Sequence, residues 1–201
     1  MSTFLEIPAL SHRSIALHPP LSDEEFERLS ESCEFGSVER TREGTIIVNP
    51  PAGGMTSSGN NEISRQLGNW WIQHRRGRVF DSSGGFFLPD SSVLNPDAAY
   101  VTAHQLEGLK RDELAHFLRL APAFVLELLS VSDSLQKTQK KMQVWMANGV
   151  QLGWLVDPYA KAVHIYEQGA VPRIETGPQV TGSGPVAGFV LDLEEIWRCY
   201  E

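Results

Sequence analysis

Hydrophobic and polar positions along the chain alternate between helical and extended spacing, and the elements follow from that. Residues 123–129 (AFVLELL) form a near-continuous apolar run, the pattern of a central strand covered on both faces. Ile63, Leu67, Trp70 and Trp71 recur at helical spacing and predict a helix over about 58–76, with Gly77 at its C′ position. Ser22 and Glu25 have capping-box spacing and open a short helix carrying Phe26 and Leu29. The stretch "SVERTREGTIIVNPP" reads as a β-hairpin turning at 42–44, with its second strand over 45–48. "PAGGMTSSG" reads as a glycine-rich loop that lacks the Gly-Lys-Ser/Thr of a phosphate cradle.

Further on, short strands are predicted at 78–80 and 85–88, and another begins at 97–101. "RDELAHFLR" reads as helical, and a helix over 134–148 closes at Asn148-Gly149. Strands at 151–156 and 162–167 flank the turn "DPYAK", and the remainder supplies an edge hairpin and a terminal helix. This order predicts an α/β fold: a mixed central sheet flanked by helices, with an N-terminal β-hairpin extension.

Two acids interrupt this apolar pattern. Asp97 stands in "LNPDAAYV" and Glu127 in "FVLELL". An ionised carboxylate inside such a run is costly unless a cation meets it. Two carboxylates converging from neighbouring strands form a hard-oxygen site suited to Mg²⁺ or Mn²⁺. The plainer readings are a turn-capping Asp97, and a Glu127 paired with Arg119 or Arg111. For Lys141 it is a surface lysine. On the helix, Lys137, Lys141 and Trp145 share one face at i, i+4, i+8.

Pro96-Asp97, then Glu127-Leu-Leu-Ser130, Lys141-x-x-x-Trp145-x-x-x-Gly149-Val150 and Gly-Trp-Leu-Val-Asp-Pro (153–158) together resemble the Uma-two family of restriction-endonuclease-like proteins. The likeness runs from "LSDEEFERL" (21–29) to "GFVLDLEEIW" (188–197). It implies one PD-(D/E)XK nuclease domain over 1–201, with a restriction-endonuclease-like core at about 57–158. An N-terminal helix and hairpin (21–50) and a C-terminal hairpin and helix (160–201) would complete it. It also implies metal-dependent hydrolysis of DNA phosphodiesters by Asp97, Glu127 and Lys141. Asp97, Glu127 and Glu62 would hold the Mg²⁺ or Mn²⁺, with Lys137 and Glu39 as secondary members.

The chain departs from the pattern in places. Leu129 occupies the position where the superfamily commonly carries its lysine. Ser130-Val131-Ser132 replaces Ser-Pro-Ser, and "MTSSGN" lacks the histidine many members have. A catalytically inactive binding or assembly module on the same fold is the rival reading.

Charge complicates the picture. A net charge of −8 opposes counterion-driven binding to DNA. The dense basic clusters are "QHRRGR" (73–78) and "QKTQKK" (136–141), so a homodimer pooling them is expected on DNA. Five tryptophans (Trp70, Trp71, Trp145, Trp154, Trp197) belong either to the core or to such an interface. Six scattered histidines give no zinc spacing, and no Gly-x-Ser-x-Gly elbow supports acyl transfer. Cys33 and Cys199 suit a reducing cytoplasm. No leader pattern and no run of ~18 apolar residues is seen, so no membrane partner is expected.

Overall fold

Continuous apolar runs form the middle of a six-stranded sheet, and amphipathic helices cover both of its faces. The computed structural model of the protein describes residues 13–34 and 36–201. The opening segment, on which the expectation about a leader rests, lies outside the described residues. The first half of the chain contributes β1 (Arg13–Ala16), α1 (Asp23–Glu31), β2 (Ser37–Arg40), β3 (Thr45–Asn49), α2 (Gly54–His74) and β4 (Arg78–Asp81). Then come β5 (Phe86–Phe87), β6 (Val93–Leu94), β7 (Ala98–Val101), α3 (Ala103–Leu106) and β8 (Phe124–Leu128). The second half adds α4 (Leu135–Ala147), β9 (Leu152–Asp157), β10 (Ala162–Glu167), β11 (Arg173–Thr176), β12 (Gln179–Thr181), β13 (Val190–Asp192) and α5 (Leu193–Arg198).

The large sheet runs β11-β10-β9-β8-β7-β4. Only β8 and β9 are parallel, and α4 is the crossover between them. Side chains of β8 alternate between two cores. Phe124, Leu126 and Leu128 pack with Ile63, Leu67 and Trp70 of α2 and Ile196 and Trp197 of α5. Val125 packs on the opposite face with Met142 and Trp145 of α4. Every residue of β8 is therefore buried, and any polar side chain on it must find its partners inside.

The N-terminal hairpin belongs to a five-stranded sheet, β1-β3-β2-β6-β5, closed by Phe26 of α1. The predicted capping box of Ser22 and Glu25 forms. Two expectations are corrected. The glycine-rich stretch is not a loop: α2 starts at Gly54, behind an extended Gly53 cap. Its buried Gly59 lets the helix approach the sheet, because a Cβ there would stand 2.8 Å from Leu128 Cδ2. "RDELAHFLR" forms only a 3₁₀ turn at Glu113–Ala115. Leu118 is instead drawn into an extended bridge, its N–H on the Gly85 carbonyl and its carbonyl on the Phe87 N–H.

The tryptophan question resolves toward the core. Trp145 and Trp154 are fully buried, Trp70 and Trp197 nearly so, and Trp71 packs against the same cluster. Among the described residues no helix is long and apolar enough to cross a membrane.

Candidate active site

Pairing between β7 and β8 sets Ala98 against Leu126. Continuing that register by one residue brings Asp97 opposite Glu127, where the two strands part. Asp97 Oδ2 there accepts the Leu128 N–H at 2.7 Å, taking over a backbone donor at the end of the ladder. Its Oδ1 accepts from Asn60 Nδ2 at 2.7 Å. Asp97 thus caps the end of β8 beside Glu127 and is bound by Asn60 on its other oxygen.

Glu127 points to the α4 side and is 4% exposed. Trp145 Nε1 donates to its Oε1 at 2.8 Å. Lys141 Nζ, one turn earlier on α4, stands 3.0 Å from its oxygens. The same ammonium lies 2.8 Å from Glu39 Oε1 and donates to the Asn95 carbonyl at 2.7 Å. Its three protons are thereby used. Glu39 is held in turn by the Asn95 N–H at 3.0 Å and Asn49 Nδ2 at 3.2 Å.

Three acids and one ammonium in a largely buried space perturb one another. Burial pushes Glu127 up to about 8, against the pull of Lys141, and the charges of Asp97 and Glu39 push the same way. Burial also raises Asp97, opposed by the Leu128 N–H and Lys141. For Lys141, burial works against the charge, but Glu127, Glu39 and Asp97 outweigh it and hold the ammonium above the usual lysine range. Lys141 therefore stays a cation, while Glu127 is poised to exchange a proton for another positive charge.

Of the residues singled out from the sequence, Asp97, Glu127, Lys141 and Glu39 come together. Glu62 and Lys137 do not. Glu62 is bound by Arg65 and by Gln66, whose Nε2 donates to it at 2.9 Å and which also reaches the Asp192 backbone. The Arg65 guanidinium, ahead of burial, keeps its carboxyl below the usual range. The helix face toward Asp97 is presented instead by Asn60, roughly 200° around the axis from Glu62. Lys137 Nζ is 3.9 Å from Asp133 and half exposed. Arg119 pairs with Asp23 rather than Glu127. Asn60 and the indole of Trp145 escaped the sequence reading. A helix-poor Asn60-Asn61 pair inside a long helix was the available signal for the first.

The donor set suits a hard divalent ion. Asp97 and Glu127 supply carboxylate oxygens, and Asn60 Oδ1 is buried without a hydrogen-bond partner. Magnesium needs only one or two carboxylates, retaining waters elsewhere. Among the described residues no group of three or more acidic, histidine or cysteine ligands is assembled. A site here would therefore rest on two carboxylates and an amide oxygen.

Paired acids at the end of adjacent strands, with a lysine brought in from the crossover helix, give this mixed α/β fold a candidate polar centre. The family model of Uma2 (Uma-two), described as "Putative restriction endonuclease", matches residues 23–194. The chain belongs to that family. It is also similar to a crystal structure described as "a putative nuclease belonging to DUF820" from Anabaena variabilis ATCC 29413. That likeness has a TM-score of 0.75 and 23% identity, covering 90% of this chain and 99% of the other, and it shows the fold. Comparison with curated proteins gives no match.

Proposed function

We propose that this chain is a metal-dependent endonuclease hydrolysing DNA phosphodiester bonds, working as one domain in the cytoplasm. The observation that carries the reading is Lys141 Nζ on Glu127, supplied from α4 where Leu129 leaves the strand face without a cation. Asp97, Glu127 and the Asn60 amide oxygen would hold Mg²⁺ or Mn²⁺. Such an ion would supply an activated water and neutralise negative charge on the phosphoryl oxygens. Lys141, its protons already shared among its acceptors, acts through its charge on the anion developing on a phosphate oxygen, a task for a compact point cation. Glu39 and the Asn95 carbonyl position that ammonium, and Trp145 fixes the Glu127 carboxyl.

The test is plasmid or oligonucleotide cleavage by purified protein with Mn²⁺ or Mg²⁺, beside Glu127→Ala and Lys141→Met. Metal-dependent cutting that both variants abolish supports the reading. A folded protein with tight DNA binding and no cutting under any divalent ion favours the inactive binding module instead. Light scattering on the same sample tests the homodimer, which would set two sites on opposite strands of a duplex.

A further inference from the structure

Beside the acids stands an aromatic wall, and its meaning rests on the nuclease reading above. Tyr159 lies in the turn after β9. Asp157 Oδ1 accepts the N–H groups of Tyr159 at 2.9 Å and Ala160 at 3.0 Å, which fixes the turn. Because β9 runs parallel to β8 with Val156 beside Leu128, the turn leaves the sheet at the same end as Glu127. The Tyr159 ring is 52% exposed. It meets Tyr200 edge-on, with centroids 5.7 Å apart at 84°.

Tyr200 in turn leans on α2 at Gly59, where an added Cβ would be 3.2 Å from its ring. Gly59 precedes Asn60, the residue that donates to Asp97. The backing ring is thus anchored beside the site, and the front ring is free to receive a ligand.

Charge holds a nucleic acid only weakly here. Lys141 is held by Glu39 and Glu127, Lys137 and Lys161 stand 3.9 Å from Asp133 and Glu201, and Arg65 is bound to Glu62. Arg75 and its neighbours follow the far end of α2, roughly 22 Å from Asn60 at 1.5 Å per residue. A sequence-tolerant alternative is stacking, since every base has a π-face. A fully paired duplex keeps those faces covered by its own neighbours. An unpaired strand does not.

We propose that Tyr159, backed by Tyr200, stacks on an unpaired nucleobase next to the scissile phosphate, so that the substrate is DNA with unpaired nucleotides at the cut site.

The experiment is fluorescence anisotropy with the full chain and Ca²⁺, using a labelled single-stranded oligonucleotide and the blunt duplex of the same sequence. Wild type should bind the single strand more tightly than the duplex. Tyr159→Ala should weaken single-strand binding about 5- to 150-fold, the range for losing one base–aromatic stack. Tyr159→Phe should stay within about 2-fold, because it keeps the ring. Thermal melting checks that both variants fold. Preference for the blunt duplex, or single-strand binding untouched by Tyr159→Ala, overturns the stacking role while leaving the nuclease reading in place. A wild type that binds neither form overturns both.

Discussion

Replacing Lys141 with Met removes the ammonium that three acceptors share, while keeping most of the apolar stem that packs in the core. Nζ lies 2.8 Å from Glu39, 3.0 Å from Glu127 and 2.7 Å from the Asn95 carbonyl. With Glu127 pushed up to about 8, this carboxyl is mostly protonated at pH 7 and loses little when the cation goes. Glu39 is different: its side chain is 7% exposed and retains only two neutral donors, the Asn95 N–H and Asn49 Nδ2. Removing one partner of a buried pair leaves the other charge uncompensated, so the expected destabilisation is about 3–5 kcal/mol. Urea unfolding at pH 7 measures it. Adding Glu39→Gln to Lys141→Met should recover more than half of the loss. A loss below about 1 kcal/mol, or a double variant weaker than the single, would refute the electrostatic account.

Two further predictions concern the metal and its ligands. Because the folded pKa of Glu127 lies above its ordinary value of 4.5, its stabilising contribution is whole below about 4.5 and fades as pH rises through about 8. Lys141 is also shifted upward, so its own contribution persists across that window. Metal-free protein should accordingly lose stability from pH 5 to 8, and Mn²⁺ should restore more of it at pH 8.5 than at pH 6, with proton release seen in calorimetry; equal Mn²⁺ affinity at both pH values contradicts this. Asn60→Ala should weaken Mn²⁺ binding about 10- to 100-fold, the usual effect of losing a metal-site supporting group, whereas Glu62→Ala should change it less than about 2-fold. The reverse ranking would return Glu62 to the site.

The layers of this fold were legible because period and burial agree. A run such as 123–129, apolar at every position, can only be a strand covered on both sides, and β8 is buried throughout. Legibility failed where tertiary contact outweighed local pattern. Glycines at 53 and 54 signal a loop, yet α2 begins there because Thr56 and Gly59 are buried one turn later, with Gly59 against Leu128 and Tyr200. The 113–115 segment has helical composition, but the bridge from Phe86 to Leu118 stops it after one 3₁₀ turn. The placement of Glu62 was hidden for another reason: composition shows that an acid is on a helix, but not which way around the axis it faces. Arg65 and Gln66, three and four residues on, claim it for the outer face.

The clustering of Glu127 with Lys141 was readable from the cost of burying the acid. An acid inside "FVLELL" demands partners, and the structure supplies an indole N–H and an ammonium from a single helix, one turn apart. A lysine two residues downstream on the strand would occupy the position of Leu129, itself nearly buried. Taking the cation from α4 instead keeps that strand position apolar and packed, while the ammonium still reaches Glu127. It also ties the cation to Glu39 on β2, a strand of the other sheet. The N-terminal sheet is therefore more than an extension of the core. Through Glu39 and the Asn95 backbone it determines where the Lys141 charge stands, so that loosening β2 would displace the ammonium without moving the strand ends that carry Asp97 and Glu127.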